Sequence, residues 1–267
     1  MSKNKFMNSD YQSDENTLQE IEKLHNEGIT LSGIYLKYAK MKNAKLVNVD
    51  LSGADLTRSD FSGASMYGAN LEGANLFKAN FEGANLKSAN LRNCDFLGAD
   101  LSNTKLNNVE WGEGYKIINE LKAEAALAAG DYKKAKEKYR EAEDVYRVLK
   151  ISLKTQTLGD DVGKFFEREM IVRRKQMPRF TPMRILSKLA HITIGYGEKV
   201  GKIIYTILGV IVVCAFLYGI EGVNYQDRIL GYWVGDLHEY GLLPTIGNLF
   251  YFSVVVFSTV GFGDIVP

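Results

Sequence analysis

The sequence predicts a multidomain chain: a β-solenoid first, an α-helical connector next, and an α-helical membrane segment last. Three observations carry this. A bulky apolar residue recurs at every fifth position from Met41 to Leu106, charges alternate with apolar residues at helical spacing after Tyr115, and Ile203 to Ile220 holds no charge at all. Composition sets the outer limits. The 267 residues are 46% hydrophobic, enough for real cores, and a net charge of +1 argues against a globally basic nucleic-acid binder. The two cysteines, Cys94 and Cys214, have no evident disulfide partner.

Residues 1–36 are mostly polar, with no hydrophobic signal core, and read as a polar or helical lead-in. The repeat follows. In "LSGADLTRSDFSGASMYGANLEGANLFKAN" the bulky residues are Leu51, Leu56, Phe61, Met66, Leu71 and Leu76. A small residue stands two positions before each bulky one, usually alanine, with Val49, Ser59, Cys94 and Thr104 as exceptions along the run. A period of five fits neither a helix nor a strand, so the backbone must turn a corner in every repeat. Four such sides make one coil of a square solenoid. The bulky and the small residue point inward, the other three face out, and coils stack about 4.8 Å apart.

Residues 37–111 resemble the pentapeptide-repeat family, A(D/N)LXX, and that resemblance implies a right-handed quadrilateral β-helix. Some gyrase-protecting members of the family mimic the DNA duplex with a negative surface. Between Ala39 and Trp111, however, eight Lys or Arg balance eight Asp or Glu. The expected role is therefore a rigid spacer or a docking surface for a protein partner, with no nucleic acid.

The connector covers residues 113–180. In "IINELKAEAALAAGDYKKAKEKYREAEDVYRVLK" Gly130 and Asp131 interrupt a helical pattern, and Ala135, Tyr139 and Ala142 then share one face, which predicts a helical hairpin. "GDYKKAKEKYREA" resembles the second half of a tetratricopeptide repeat, but one repeat forms no groove. The basic run "REMIVRRKQMPRFTPMR" stands before an apolar span, where it suits a membrane surface.

Residues 181–267 form the membrane part. Ile203–Ile220 would span about 27 Å as a helix, against roughly 30 Å of hydrocarbon. Ten Lys or Arg lie in 164–202 and one, Arg228, in 221–240, so the N-terminal domains are expected on the cytoplasmic side of an inner (plasma) membrane. Tyr240 to Gly263 is also uncharged. Gly261 and Gly263 make a poor helix end, so residues 248–258 are expected to form a short helix that dips part way in, followed by an extended return.

That return, Thr259-Val260-Gly261-Phe262-Gly263-Asp264, resembles the potassium-channel selectivity filter, with Phe262 where the family has tyrosine. The resemblance implies a homotetramer embedded in lipid. The carbonyls of Thr259, Val260, Gly261 and Phe262 and the Thr259 hydroxyl would face K+, Gly263 would complete the filter, and Asp264 would draw cations to the outer mouth. K+ is then the permeant ion and no cofactor is needed. Phe262 lacks a hydroxyl that could brace the filter, which bears on strictness of selection. In two-helix channels a second spanning helix follows the filter, and the sequence stops at Pro267, so it reads as a fragment of a pore. The alternative is a membrane-tethered scaffold whose solenoid recruits a partner. An enzyme is not expected: His25, His191 and His238 lie far apart, and no GxSxG is present.

Overall fold

The chain folds into two units, Met1–Lys188 and Leu189–Pro267, in a computed structural model that describes residues 3–156, 158–225, 228–232, 241–258 and 265–266.

In the first unit, parallel bridges join residues twenty apart, from Tyr35↔Asp55 to Asn90↔Glu110. At five residues per repeat, each coil therefore holds four repeats. The Leu31 N–H already reaches the Asp50 carbonyl at 3.1 Å, so the winding begins upstream of residue 37. The bulky and small positions are buried along the whole run, from Leu31 to Leu106. The polar exceptions satisfy themselves on nearby carbonyls: Ser59 Oγ donates to Leu56 O at 2.6 Å, Thr104 Oγ1 to Phe81 O at 2.7 Å, and Cys94 Sγ to Leu71 O at 2.9 Å. Burial pushes the Cys94 thiol pKa far up, so it behaves as a small apolar filler.

Two outer positions are more constrained than the spacing suggests. The Asp or Asn before each bulky residue is generally half-buried, not outward. Its side chain accepts the N–H two residues on, as in Asp50 to Ser52 at 3.1 Å and Asn80 to Glu82 at 2.9 Å. Asparagine also donates to the carboxylate one coil back, Asn70 to Asp50 at 3.1 Å and Asn80 to Asp60 at 3.2 Å. A carboxylate has no proton to give, so placing Asn above Asp satisfies both. The second constrained position is two after each bulky residue. From Gly33 to Asn108 every one of these residues has φ between 55 and 72°. With the Ala54 N–H bonded to the Leu51 carbonyl at 3.1 Å, this is a type II-like corner, which favours Gly and Asn.

Both solenoid ends are covered, as stacked coils require. At the front, α1 (Thr17–Asn26) buries Ile21 and Leu24. There Phe6 O accepts from the Tyr35 N–H at 2.7 Å, and Glu22 Oε1 accepts from the Lys45 N–H at 2.7 Å. At the back stand α2 (Ile118–Ala128), α3 (Tyr132–Thr155) and α4 (Gly159–Gln176). Ser152 Oγ donates to Leu101 O at 2.8 Å, and Gln156 Oε1 accepts from the Leu106 N–H at 2.8 Å. Trp111 sits between the rings of Phe96 and Phe165, at 6.2 and 5.1 Å. The expected hairpin is α2–α3, and α4 packs on α3 as a third helix.

These three helices share a buried charge. Glu120 is 0% exposed. Arg168 grips it with two bonds of 2.5 and 3.1 Å, Tyr146 OH donates at 2.7 Å, and Lys175 Nζ lies at 3.3 Å while also reaching Glu124 at 2.8 Å. Burial alone would lower the pKa of Arg168, but the Glu120 carboxylate outweighs it and the value is raised. Burial and then the same carboxylate push the Tyr146 phenol up. One acid on α2 thereby ties α3 and α4 together.

Candidate functional site

The second unit is built around α6 (Val200–Glu221), which α5 (Pro182–Thr193) precedes. Its 22 residues are long and apolar enough to cross a membrane. Unlike a soluble core helix, α6 turns its large residues outward, among them Val212, Val213, Phe216 and Leu217, while Ile211, Ala215 and Gly219 face inward. At Gly219 a Cβ would overlap the Tyr232 ring, so the glycine makes room for that ring. Gly222, at φ +83°, ends the helix in a conformation that side chains resist.

The chain then forms a hairpin of β1 (Val223–Tyr225) and β2 (Arg228–Leu230), in register Val223↔Leu230. Sequence reading missed this hairpin. Its signal was short: a glycine after the apolar helix, then Val223 and Leu230 as buried anchors.

α7 (Leu242–Phe257) follows. It begins six residues earlier than the expected start at 248, because Pro244 falls in the first turn, where its missing N–H costs nothing. Thr245 Oγ1 donates to Gly241 O at 3.1 Å within that turn. Leu249 and Phe252 pack with Ala215, Val223 and Leu230, and Phe252 meets Tyr218 edge-on at 4.9 Å. At its far end the Ser258 N–H returns to Val254 O at 2.9 Å, and Ser258 Oγ donates to Val255 O at 3.1 Å.

The predicted site residues Thr259, Val260, Gly261, Phe262, Gly263 and Asp264 lie outside the described residues. Their flanks are described. After them, β3 (Ile265–Val266) pairs antiparallel with β1, Tyr225↔Ile265 and Asn224↔Val266, giving the strand order β2-β1-β3. The chain therefore leaves α7 at Ser258 and, seven residues later, lies beside the segment that follows α6.

The other residues singled out in the sequence are dispersed. His25 Nε2 lies 2.9 Å from Val47 O, His191 stacks on Tyr196 at 5.5 Å, and His238 is outside the described residues. Cys214 is a half-buried free thiol on α6. Among the described residues no group of three or more His, Cys, Asp or Glu is arranged to hold a metal.

Comparison with known families gives two matches. Residues 34–73 and 69–108 match Pentapeptide repeats, in eight copies, and residues 229–267 match Ion channel. Neither is an enzyme family. No curated protein matches the chain. Among solved structures, a pentapeptide-repeat protein of the cyanobacterium Cyanothece 51142 is 37% identical over 31% of this chain and 58% of its own, with a TM-score of 0.20. A pentapeptide-repeat protein of Nostoc PCC 7120 is 31% identical over 35% of this chain and 76% of its own, also with a TM-score of 0.20. A third, from the Arabidopsis thaliana thylakoid lumen, is 30% identical over 30% of this chain and 48% of its own, at 0.17. The chain thus spans little more than half the length of the first of these.

Proposed function

We propose that this chain, which belongs to the pentapeptide-repeat family and carries an ion-channel domain, is a subunit of a potassium-selective, tetrameric membrane channel. The observation that carries the reading is the hexapeptide Thr259–Asp264. It stands where α7 ends and where the chain must return to β1 within a few residues.

Potassium gives up its water only if other oxygens replace it. Carbonyls of Thr259, Val260, Gly261 and Phe262 from four subunits, with the Thr259 hydroxyl, supply such a ring, and the alternating Gly261 and Gly263 let successive peptides aim inward. α7 points its carbonyl end toward that ring, adding partial negative charge, and Asp264 concentrates cations at the mouth. Phe262 leaves the filter without a phenolic brace. The basic residues that precede α6 favour a cytoplasmic solenoid and an inner-membrane location. In this reading each coil is a square with one repeat per side, and the rigid column is a spacer or a surface for a protein partner.

The test is potassium flux from liposomes holding the full-length gene product. Gly261→Ala should abolish flux while insertion and assembly persist, because a Cβ opposes the φ > 0 backbone the carbonyls need. Asp264→Asn should only reduce conductance. A protein that passes no ions, or passes them equally with alanine at 261, defeats the reading.

A further inference from the structure

The solenoid is neutral as a whole but not face by face. Bridges between residues twenty apart stack every fourth repeat on one face. One face is built from residues 44–48, 64–68, 84–88 and 104–108, and it carries Lys45, Lys87 and Lys105 with no acid. Among the described residues none of these three ammonium groups pairs with a carboxylate, and Glu22 of α1 engages the Lys45 backbone N–H instead. Val47 and Tyr67 stand exposed among them.

The next face along the chain is built from residues 49–53, 69–73 and 89–93 and ends at Glu110. It carries Asp50, Glu72 and Glu110 against a single base, Arg92, which lies 3.0 Å from Glu110. The other two faces mix both signs, and on one of them Lys37 pairs with Asp55 at 3.4 Å. A basic face with unpaired lysines therefore adjoins an acidic one.

We infer that the basic face of each solenoid docks on the acidic face of a second copy of this chain, and that four columns close into a ring. The inference rests on the square coil and the tetramer of the proposed function, and it uses the first unit alone. Adjoining sides of a square stand at a right angle, so each added copy turns by about 90° and the fourth meets the first. Complementary faces on opposite sides would build an open filament. Copies turned about the coil axis keep one height. Lys45 and Asp50 then differ in height by a quarter coil, about 1.2 Å, as do Lys105 and Glu110, and Lys87 falls between Glu72 and Glu110. Opposed charge of this kind fixes partner and register more than it supplies affinity. The face is one repeat wide and four coils tall, about 19 Å, too small for the roughly 1,600 Å2 that a standard interface buries. Its pairing depends on copies already held together, as four pore segments would hold them.

The experiment uses the full-length protein in phosphatidylcholine vesicles, in a Cys94→Ala, Cys214→Ser background. A short bismaleimide joins paired cysteines, denaturing gels read the ladder, and photobleaching of an N-terminal label counts copies per particle. Val47→Cys with Ser52→Cys, one on each face and neither replacing a charge, should give a ladder that ends at four. Ser62→Cys with Ser52→Cys, on opposite faces, should give several-fold less product. Lys45→Glu, Lys87→Glu and Lys105→Glu together should reduce the ladder several-fold, and adding Glu72→Lys and Glu110→Lys should restore it. Four copies per particle without a ladder, or a ladder indifferent to the lysine reversals, overturns the inference and leaves the tetramer standing. Loss without rescue rejects the charge pairing. A ladder that stops at two or runs past four rejects the ring. Single copies overturn the tetrameric reading together with the inference.

Discussion

The solenoid and α6 use the same apolar residue types and place them oppositely. In the coils, Leu and Phe are inside with alanine beside them. On α6, Val, Leu and Phe are outside, and Ala215 and Gly219 are inside. The difference teaches that burial follows the medium: one unit hides apolar area from water, whereas the other presents it to lipid and packs through small residues.

The largest effect is expected inside the coils. Ala79→Arg puts an unpaired charge where alanine is buried, and should cost about 4 kcal/mol or more. Glu82→Arg, on the outside, should stay within about 0.5 kcal/mol. Thermal melts of the protein in detergent, followed by far-UV circular dichroism at the solenoid transition, compare the two. Equal losses would falsify the inside–outside assignment.

Next comes the charge that the connector buries. Arg168→Met leaves Glu120 with Lys175 and Tyr146 only, and should cost about 3 kcal/mol. The neighbouring Glu124 adds a pH dependence. Burial works against its charge, but Lys175 and Lys116 outweigh burial, so its pKa lies below the usual carboxylate value. A lowered carboxylate pKa gives stability that is complete above the unfolded value of about 4.3 and is lost as pH falls through the folded value. Limited proteolysis between α2 and α4 should therefore speed up below about pH 4, and Glu124→Gln should flatten that profile. An unchanged profile would show that this ion cluster does not hold the three helices.

On α6 the small residue is the sensitive one. Gly219→Leu must displace the Tyr232 ring and should cost about 2 kcal/mol. Leu217→Ala, at a side chain 53% exposed, should cost far less in detergent. The reverse ranking would mean that α6 is a buried helix of a soluble protein.

What the sequence made legible follows from this contrast. A five-residue period forces the inward positions, so Leu51, Ala54 and their equivalents could be placed without coordinates. The period is silent about which outer positions are tied down. The Asn-to-Asp rungs and the left-handed corners connect residues twenty apart or depend on backbone angle, and their trace is a compositional bias toward Asn, Asp and Gly. Along α6 the charge gap revealed the helix, but uniform apolarity conceals which side packs. Gly219 became meaningful only with Tyr232 beside it, and the β1–β2 hairpin only with β3 on its other edge. The extent of α7 turned on whether Pro244 lies before the helix or within its first turn.

The smallest expected effect probes those corners. Ser88 occupies the left-handed position with φ 58°, where neighbouring repeats use Gly83, Asn93 and Gly98. A β-carbon strains this conformation, and asparagine is among the side chains that tolerate it best. Its backbone N–H bonds to Asn107 O at 2.9 Å, an interaction that a side-chain exchange keeps. Ser88→Asn should therefore raise solenoid stability by about 0.5 kcal/mol through backbone preference alone, with the interior of the coil unchanged. The matched change Thr193→Asn, at the end of α5 and at a residue absent from the left-handed set, should give no such gain. A gain at both positions, or at neither, would mean that corner geometry does not limit the coils and that their outer surface is as permissive as an ordinary exposed helix.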